Sequence, residues 1–409
     1  MALDTNESAH RALANTGQLL DEVGPRPSGS EQSRRAADRL RQQAAPFADH
    51  VISEDFSVHP KAFLGWIRIV VGLYVLAVAI LWLGLYWLSA LLTTAGLLVM
   101  VGQFFFYKEM IDWLFPGGTG RNVLAVVEPE QEARGQLIIS GHHDSAFVFN
   151  FLVHQPSLYP LRVTGGIATL VILLIASWVL AIWQIAAGEA PFWSVYVAAF
   201  FSVMLLLVGQ LWWFASPDAT PGAGDNLASS AAAWETLRLI AEQKASGRGL
   251  RHLRVIAASW DAEEAGLRGA RSWVNKRDDG RLDLPTWNLN LECLYDAGEF
   301  FLLTSDVNGT VGLSADLASR CQRLLASRGI QAPVKPIAFL TGGTDAGEIA
   351  RGGAEATSLM GMPWGNNDRS SVYHTPADIL ESVDPVAVAS AIQLSLDLAD
   401  DLDQELAKT

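Results

Sequence analysis

Trp260-Asp261-Ala262-Glu263-Glu264-Ala265-Gly266-Leu267 follows directly on Leu253 to Ala258, a short apolar run that reads as a buried strand. Side chains of neighbouring residues diverge, so one of the two glutamates can ligate a metal while the other faces a bound water. Working outward, four more short motifs carry the same kind of chemistry. They are Gly141-His142-His143-Asp144-Ser145, Gly222-Ala223-Gly224-Asp225-Asn226, Asn290-Leu291-Glu292 and Tyr373-His374-Thr375-Pro376-Ala377-Asp378. Zinc accepts imidazole nitrogen and carboxylate oxygen, and a catalytic site keeps a position open for water. Two histidines and three carboxylates are enough to hold a metal pair, with one glutamate left over to move a proton. Two metals about 3.5 Å apart need a ligand that bridges them, which a carboxylate does with its two oxygens. Asp225 is the candidate, because it lies in a glycine-rich loop just before a helix expected from Leu227 to Ala241.

In this order the motifs resemble those of the co-catalytic zinc aminopeptidases, metallopeptidase family 28, which also contains glutamate carboxypeptidase and the glutaminyl cyclases. The resemblance reaches both ends of the chain, since Gly24-Pro25-Arg26-Pro27-Ser28-Gly29-Ser30 is similar to the family's opening signature. It implies one metal on His142, Asp225 and Glu292, a second on Asp225, Glu264 and His374, and Glu263 as general base. It also implies a cis peptide bond after Asp225. Asp144 is expected to accept the other ring N–H of His142 and fix its tautomer. His143 is read as lining or structural. Tyr373 resembles a position where relatives use a phenol to stabilise the tetrahedral oxyanion.

The chain departs from the family in two places. Glu292 stands where most relatives have Asp, one methylene shorter. Two strongly apolar blocks, 62–107 and 163–215, interrupt the catalytic domain where soluble relatives have short connections. Within them Ile69 to Tyr86, Leu88 to Tyr107, Val163 to Ala186 and Phe192 to Phe214 each come near the ~20 apolar residues that cross a bilayer. Half the residues are hydrophobic and only 18% charged, and the excess is local. Nine of the fourteen tryptophans fall between Trp66 and Trp213, many near segment ends, where an aromatic belt would lie. Buried core helices are the alternative, but a globular core rarely needs such long uninterrupted apolar runs.

Topology follows from the motifs. His142 precedes the second block and Asp225 follows it, yet both must reach one metal pair, so the block crosses the membrane an even number of times. Each block is therefore read as a transmembrane hairpin, turning near Leu85 and near Gly188-Glu189-Ala190-Pro191. Residues 1–61, 108–162 and 216–409 are then pieces of one peptidase domain. Lys61, Arg68, Lys108, Arg121 and Arg162 flank the hairpins on the catalytic side, while the turns carry no Lys or Arg. By the positive-inside rule that side is cytoplasmic. Cys293 and Cys321 provide no disulfide framework and fit a reducing compartment. Residues 1–50 are polar and charged, so no cleavable signal is expected.

The remaining chain alternates expected helices (8–22, 30–45, 227–246, 265–276, 312–328, 345–352, 385–406) with expected strands (50–57, 122–128, 136–140, 253–258, 300–304). The fold class is an α/β, mixed-sheet zinc-exopeptidase domain of the phosphorylase/hydrolase-like kind, interrupted by two transmembrane hairpins. His142 and Glu263 then sit at strand ends, where open α/β sheets build their sites. The net charge of −14 argues against nucleic acid as a partner and describes an acidic solvated surface. A single histidine beside a strand is usually a satisfied polar residue, but five ligand-type residues in family order point to a metal site. The expected activity is that of a membrane-bound aminopeptidase with two Zn2+, a two-metal-activated water and Glu263 as base, with peptides and the lipid bilayer as partners. A glutaminyl-cyclase-like acyltransferase and a catalytically silent membrane scaffold are the alternatives. Asn226 and Gly266-Leu267 look peptidase-like, and the intact Glu263 argues against silence.

Overall fold

The computed structural model describes residues 5–276, 279–365 and 369–408. The chain divides into two compact units, one made of Met1–Pro60, Pro116–Val148 and Asp218–Thr409, the other of Lys61–Phe115 and Phe149–Pro217.

The first unit begins with α1 (Thr5–Val23) and α2 (Glu31–Ala44). Ser30 caps α2, its side chain accepting from the Ser33 N–H and satisfying one of the orphan donors of the first turn. Strands β1 (His50–Val58), β2 (Gly118–Val127) and β3 (Gly135–His142) follow, then, beyond the short β4 (Phe147–Phe149) and β5 (Ala215–Ala219), β6 (Leu253–Trp260) and β7 (Thr286–Glu292). The set is completed by β8 (Phe301–Leu303), the small pair β9 (Ser305–Asp306) and β10 (Val311–Gly312), β11 (Val334–Lys335) and β12 (Glu355–Met360). Eight of these form one mixed sheet in the order β1-β2-β6-β3-β7-β12-β8-β11. Its centre, β6-β3-β7-β12, is parallel, and the antiparallel pairings lie toward the edges.

That parallel centre positions the site. His142 pairs with Trp260, and Met360 with Glu292, so the carboxyl ends of four adjacent strands finish at one level. The central strands are buried along nearly their whole length, because helices cover both faces. On one face α1, α2, α8 (Ala228–Ala245) and α12 (Pro385–Leu406) enclose the largest apolar core, which includes Leu40, Leu137, Ile139, Leu227 and Ile392. On the other, α9 (Arg268–Val274) and α11 (Asp345–Arg351) enclose a smaller one around Trp260, Trp273 and Ile349. Helix α8 comes close to the sheet at Gly141, where a Cβ would lie 2.9 Å from the Ser229 side chain.

The element reading needs corrections. Two central strands, β7 and β12, were not expected. In β7 the weak strand formers Asn288 and Asn290 break the apolar signal, and their amides find partners on the neighbouring strand. Asn288 Nδ2 donates to the Ile138 carbonyl (3.1 Å), and Ser140 Oγ donates to Asn290 Oδ1 (2.9 Å). The helix expected from 312 begins only at Ala315 in α10 (Ala315–Ser327), because Ser314 caps it and Gly312 belongs to β10. The helix expected from 265 begins at Arg268, after Gly266 and Leu267 take positive φ.

The second unit contains α3 (Ala62–Trp82), α4 (Tyr86–Met100), α6 (Tyr159–Ala187) and α7 (Ser194–Val208), with the short α5 (Asn150–His154) before α6. Helix α3 packs on α4 and α7, and α6 packs on the same two, closing a four-helix bundle. The segments Ala62–Trp82, Tyr86–Phe105, Pro156–Ala187 and Ser194–Trp213 are each long and apolar enough to cross a membrane. Gly84 (φ 71°) and Gly188 (φ 76°) take the left-handed conformation in the turns between paired helices, which a Cβ would disfavour. Inside the bundle polar groups meet one another. The Tyr74 hydroxyl donates to the Phe201 carbonyl (2.9 Å), and Ser89 and Ser177 share a hydrogen bond (3.0 Å). Outside, large apolar residues stand open: Leu206 is 82%, Ile185 81% and Phe192 85% exposed.

Candidate metal centre

Five side chains converge at the carboxyl edge of the parallel strands. His142 ends β3 and Glu292 ends β7. Glu264 lies in the turn after β6, Asp225 in the loop before α8, and His374 in the loop between β12 and α12. His142 Nε2 is 3.3 Å from Asp225 Oδ1 and 3.5 Å from Glu292 Oε1. His374 Nε2 is 3.1 Å from Asp225 Oδ2 and 3.4 Å from Glu264 Oε1. The two carboxylate oxygens of Asp225 thus face different imidazoles. The Asp225–Asn226 peptide bond is cis.

These separations fit metal ions. Bonds of about 2.0–2.1 Å to a tetrahedral ion leave neighbouring donors roughly 3.3 Å apart. His142, Asp225 and Glu292 form one group of donor atoms within 4.8 Å of one another, and Asp225, Glu264 and His374 form another. His142 Nε2 and Asp225 Oδ2 are buried and make no hydrogen bond, although each faces an atom of opposite character. Such orphaned polar atoms are expensive in a dry interior and are natural where an ion takes up their lone pairs.

The electrostatics ask for cations too. Burial works against a proton on His142, yet the charge of Glu263 and contacts with Asp144, Asp225 and Glu292 lift the imidazole well above its ordinary range. His374 is raised to about 9 by Glu264 and Asp225 against the same burial. Burial, with Asp225 adding its repulsion, pushes Glu264 up to about 7. For Asp225 burial opposes charge, but the close approach of both imidazoles overrides it and holds the carboxyl below the usual range. Protons on the histidines partly meet a demand for positive charge that metal ions meet fully.

Glu263 adjoins this set. Its Oε2 is 3.8 Å from His142 Nε2, and with His142 and Glu264 it forms a third, overlapping donor group. Burial raises its pKa well above the carboxylate range, with Glu264, Glu292 and Asp345 adding to the effect. Asp144 is wholly buried and does more than the sequence suggests. Its Oδ1 lies 3.2 Å from His142 Nδ1, and its carboxylate also accepts the N–H groups of Glu263 and Glu264 (3.2 Å each) and the Ser28 hydroxyl (2.6 Å). One carboxylate therefore orients the imidazole and both glutamates. His143 turns away: its Nδ1 meets Ser259 Oγ at 2.9 Å, and burial lowers it to about 3, so it is neutral. The Tyr373 ring stacks on His374 (3.9 Å between centroids) and meets Trp364 edge-on at 5.5 Å.

Two contributors were not read from the sequence as functional. Asn226 donates through Nδ2 to the Leu291 carbonyl (2.9 Å) and accepts the Cys293 N–H (3.2 Å), tying the Asp225 loop to the backbone on both sides of Glu292. Its place directly after Asp225 was the available signal. Asp345, at the start of α11, is fully buried with both oxygens lacking a hydrogen-bond partner, and its charge bears on Glu263. The preceding Thr344 is anchored by its N–H and hydroxyl to Asp306 (2.9 and 2.7 Å). Nothing local in Gly342-Gly343-Thr344-Asp345 marks it.

The model of peptidase family M28 matches residues 208–399, a stretch that holds Asp225, Glu263, Glu264, Glu292 and His374. Over that stretch the chain is similar to peptidase family M28. It is a metallopeptidase, a hydrolase of a zinc-dependent family. Solved structures share the fold at low identity. A zinc aminopeptidase from Bacillus subtilis aligns with TM-score 0.55 at 12% identity, covering 96% of this chain and 95% of that one. A Zn-dependent exopeptidase from Parabacteroides distasonis gives 0.56 at 14%, covering 96% and 97%. A glutaminyl cyclase from Bacteroides thetaiotaomicron, bound to N-acetylhistamine, gives 0.55 at 12%, covering 95% and 96%. The comparison with curated proteins found no match.

Proposed function

We propose that this metallopeptidase is a membrane-integrated aminopeptidase that holds two zinc ions, one on His142, Asp225 and Glu292 and one on Asp225, Glu264 and His374. The observation that carries the proposal is the placement of Asp225, whose two oxygens lie 3.3 and 3.1 Å from two different imidazole nitrogens. Zinc bound there supplies Lewis acidity, which makes a water more acidic and a carbonyl more electrophilic. The protein's own groups do the rest. Glu263, adjacent to both donor groups and with a raised pKa, takes the proton of the attacking water and returns it to the leaving amine. Asp144 holds the His142 ring in one orientation. Tyr373, stacked on His374, offers its phenol to the oxyanion that develops at the scissile carbonyl.

Aminopeptidase and exopeptidase relatives of the same fold support action on peptides with a free amino terminus. The glutaminyl cyclase relative keeps an acyl-transfer reading in view, but two donor groups sharing one carboxylate favour two ions and hydrolysis. The four long apolar helices support two hairpins, 62–107 and 163–215, inserted in lipid between the peptidase pieces 1–61, 108–162 and 216–409. The Lys and Arg residues flanking them support a cytoplasmic peptidase domain.

Two experiments test this. Purified protein should release amino-terminal residues from free peptides, and both amino-terminal acetylation and a zinc chelator should abolish release. Cleavage of acetylated peptides at the same rate, or cyclisation of amino-terminal glutamine instead of hydrolysis, would refute the aminopeptidase reading. For topology, a thiol probe applied to sealed vesicles should label Ala187→Cys from the face opposite to Glu130→Cys. Labelling of both from one face would remove the hairpin.

A further inference from the structure

The loop Pro221-Gly222-Ala223-Gly224-Asp225 belongs to no strand of the large sheet, yet four of its backbone polar groups are taken up by two side chains distant in sequence. Arg26, from the amino-terminal Gly24-Pro25-Arg26-Pro27 signature, is fully buried. Its Nη1 donates to the Pro221 carbonyl (2.9 Å) and its Nη2 to the Gly222 carbonyl (2.8 Å). Its Nε donates to the His143 carbonyl (2.7 Å), and Nη1 also reaches the Gly24 carbonyl (2.8 Å). On the amide side stands Asp378, equally buried, from the motif that carries His374. Its Oδ1 accepts the Gly224 N–H (2.8 Å), its Oδ2 the Asp225 N–H (3.2 Å), and its backbone carbonyl the Ala223 N–H (3.3 Å).

Successive carbonyls therefore meet a cation and successive amides an anion. A guanidinium stays charged and offers five donors in a fixed fork, so it can hold several carbonyls in one geometry where an ammonium cannot. The loop is shaped for it. Gly222 has φ 67°, and a Cβ there would lie 2.9 Å from Arg26 Nη2 and 2.6 Å from the Ser145 side chain. The same guanidinium grips His143, one residue beyond the His142 ligand, so the loops that deliver His142 and Asp225 share one anchor.

We infer that Arg26 and Asp378 are positioning residues of the metal centre, a pair of opposite charge that fixes the backbone of Pro221–Asp225 so that Asp225 presents one oxygen to each metal position. The inference rests on Asp225 as the bridging ligand. Neither residue contributes a donor atom. Their role is to set where the donors stand before an ion arrives, which lowers the cost of binding it.

The test uses the full-length protein in detergent. Zinc affinity is measured by chelator competition, the cobalt-loaded absorption spectrum reports ligand geometry, and thermal unfolding of the metal-free form reports folding. Arg26→Gln and Asp378→Asn should each weaken zinc binding about 10- to 100-fold and shift the cobalt bands. Arg26→Lys, which keeps the charge and loses the fork, should recover only part of the affinity. Should Arg26→Gln fail to fold, Arg26→Lys and Asp378→Asn carry the same test. Lower metal-free stability with zinc affinity and cobalt spectrum unchanged would make the pair merely structural and overturn the inference. Asp225→Asn is the reference: if it too leaves zinc unchanged, the ligand assignment has failed, and if it alone loses zinc, only the clamp has.

Discussion

The two units of this chain differ in what they expose and in what they bury beside their apolar cores. In the peptidase unit apolar side chains are enclosed and charge is concentrated at a buried centre, where His142, Asp144, Asp345 and Asp378 are all but inaccessible. In the helical unit the buried interior is apolar too, with Val71, Leu173 and Leu180 in its core beside the hydroxyl pair of Ser89 and Ser177, but the large apolar residues Leu206, Ile185 and Phe192 also stand exposed. Water explains the first arrangement, since apolar groups leave it and buried charges survive only when paired or coordinated. It does not explain the second, because soluble proteins do not expose apolar faces of that extent. A bilayer would. The contrast therefore supports the proposed membrane hairpins, and the burial pattern of each unit must be read separately.

The largest effect expected from this contrast is at the buried charge. Glu263→Gln removes the proton carrier and leaves the shape, so kcat should fall by at least the 10² to 10⁴ typical of lost general-base catalysis, with KM little changed. Steady-state kinetics on a free peptide check it, and a variant within tenfold of the parent would take the base role from Glu263. Next comes the exposed apolar surface of the helical unit. Leu206→Arg should cost on the order of 2.5–3.5 kcal/mol if that side chain lies near the bilayer centre. Ile52→Arg, on an exposed strand position of the peptidase unit, should stay within about 0.5 kcal/mol. Recovery from washed membranes and unfolding in mixed micelles compare the two, and equal tolerance would count against the proposed membrane hairpins. The smallest effect belongs to the bundle interior. Ser89→Ala should cost about 0.6 kcal/mol, the usual size of an interhelical hydrogen bond in a membrane. A loss several times larger, in the same micelle unfolding, would mean that this bond organises the bundle.

Legibility followed the same division. The apolar helices were readable because length and composition alone define them. The five candidate donors were readable because each sits in a short motif with distinctive neighbours, such as the glycines before Asp225 or the glutamate beside Glu264. What the sequence concealed depends on contacts between distant segments. Strand β7 was hidden because Asn288 and Asn290 are poor strand formers, which bond across to Ser140 and the Ile138 carbonyl on the neighbouring strand. Asp345 was hidden because its place is set by Asp306 gripping Thr344 across 38 residues. Asn226 was visible as a motif member, but its tie to both sides of Glu292 exists only once β7 is formed.

The central claim is that five side chains hold two ions and the sixth, Glu263, holds none. Metal content per chain, measured on the purified parent, Glu263→Gln and Glu264→Gln after equilibration with zinc, tests it most directly. Two zincs in the parent, two in Glu263→Gln and fewer in Glu264→Gln are predicted. A single zinc in the parent, or loss of zinc from Glu263→Gln with retention in Glu264→Gln, would contradict the account.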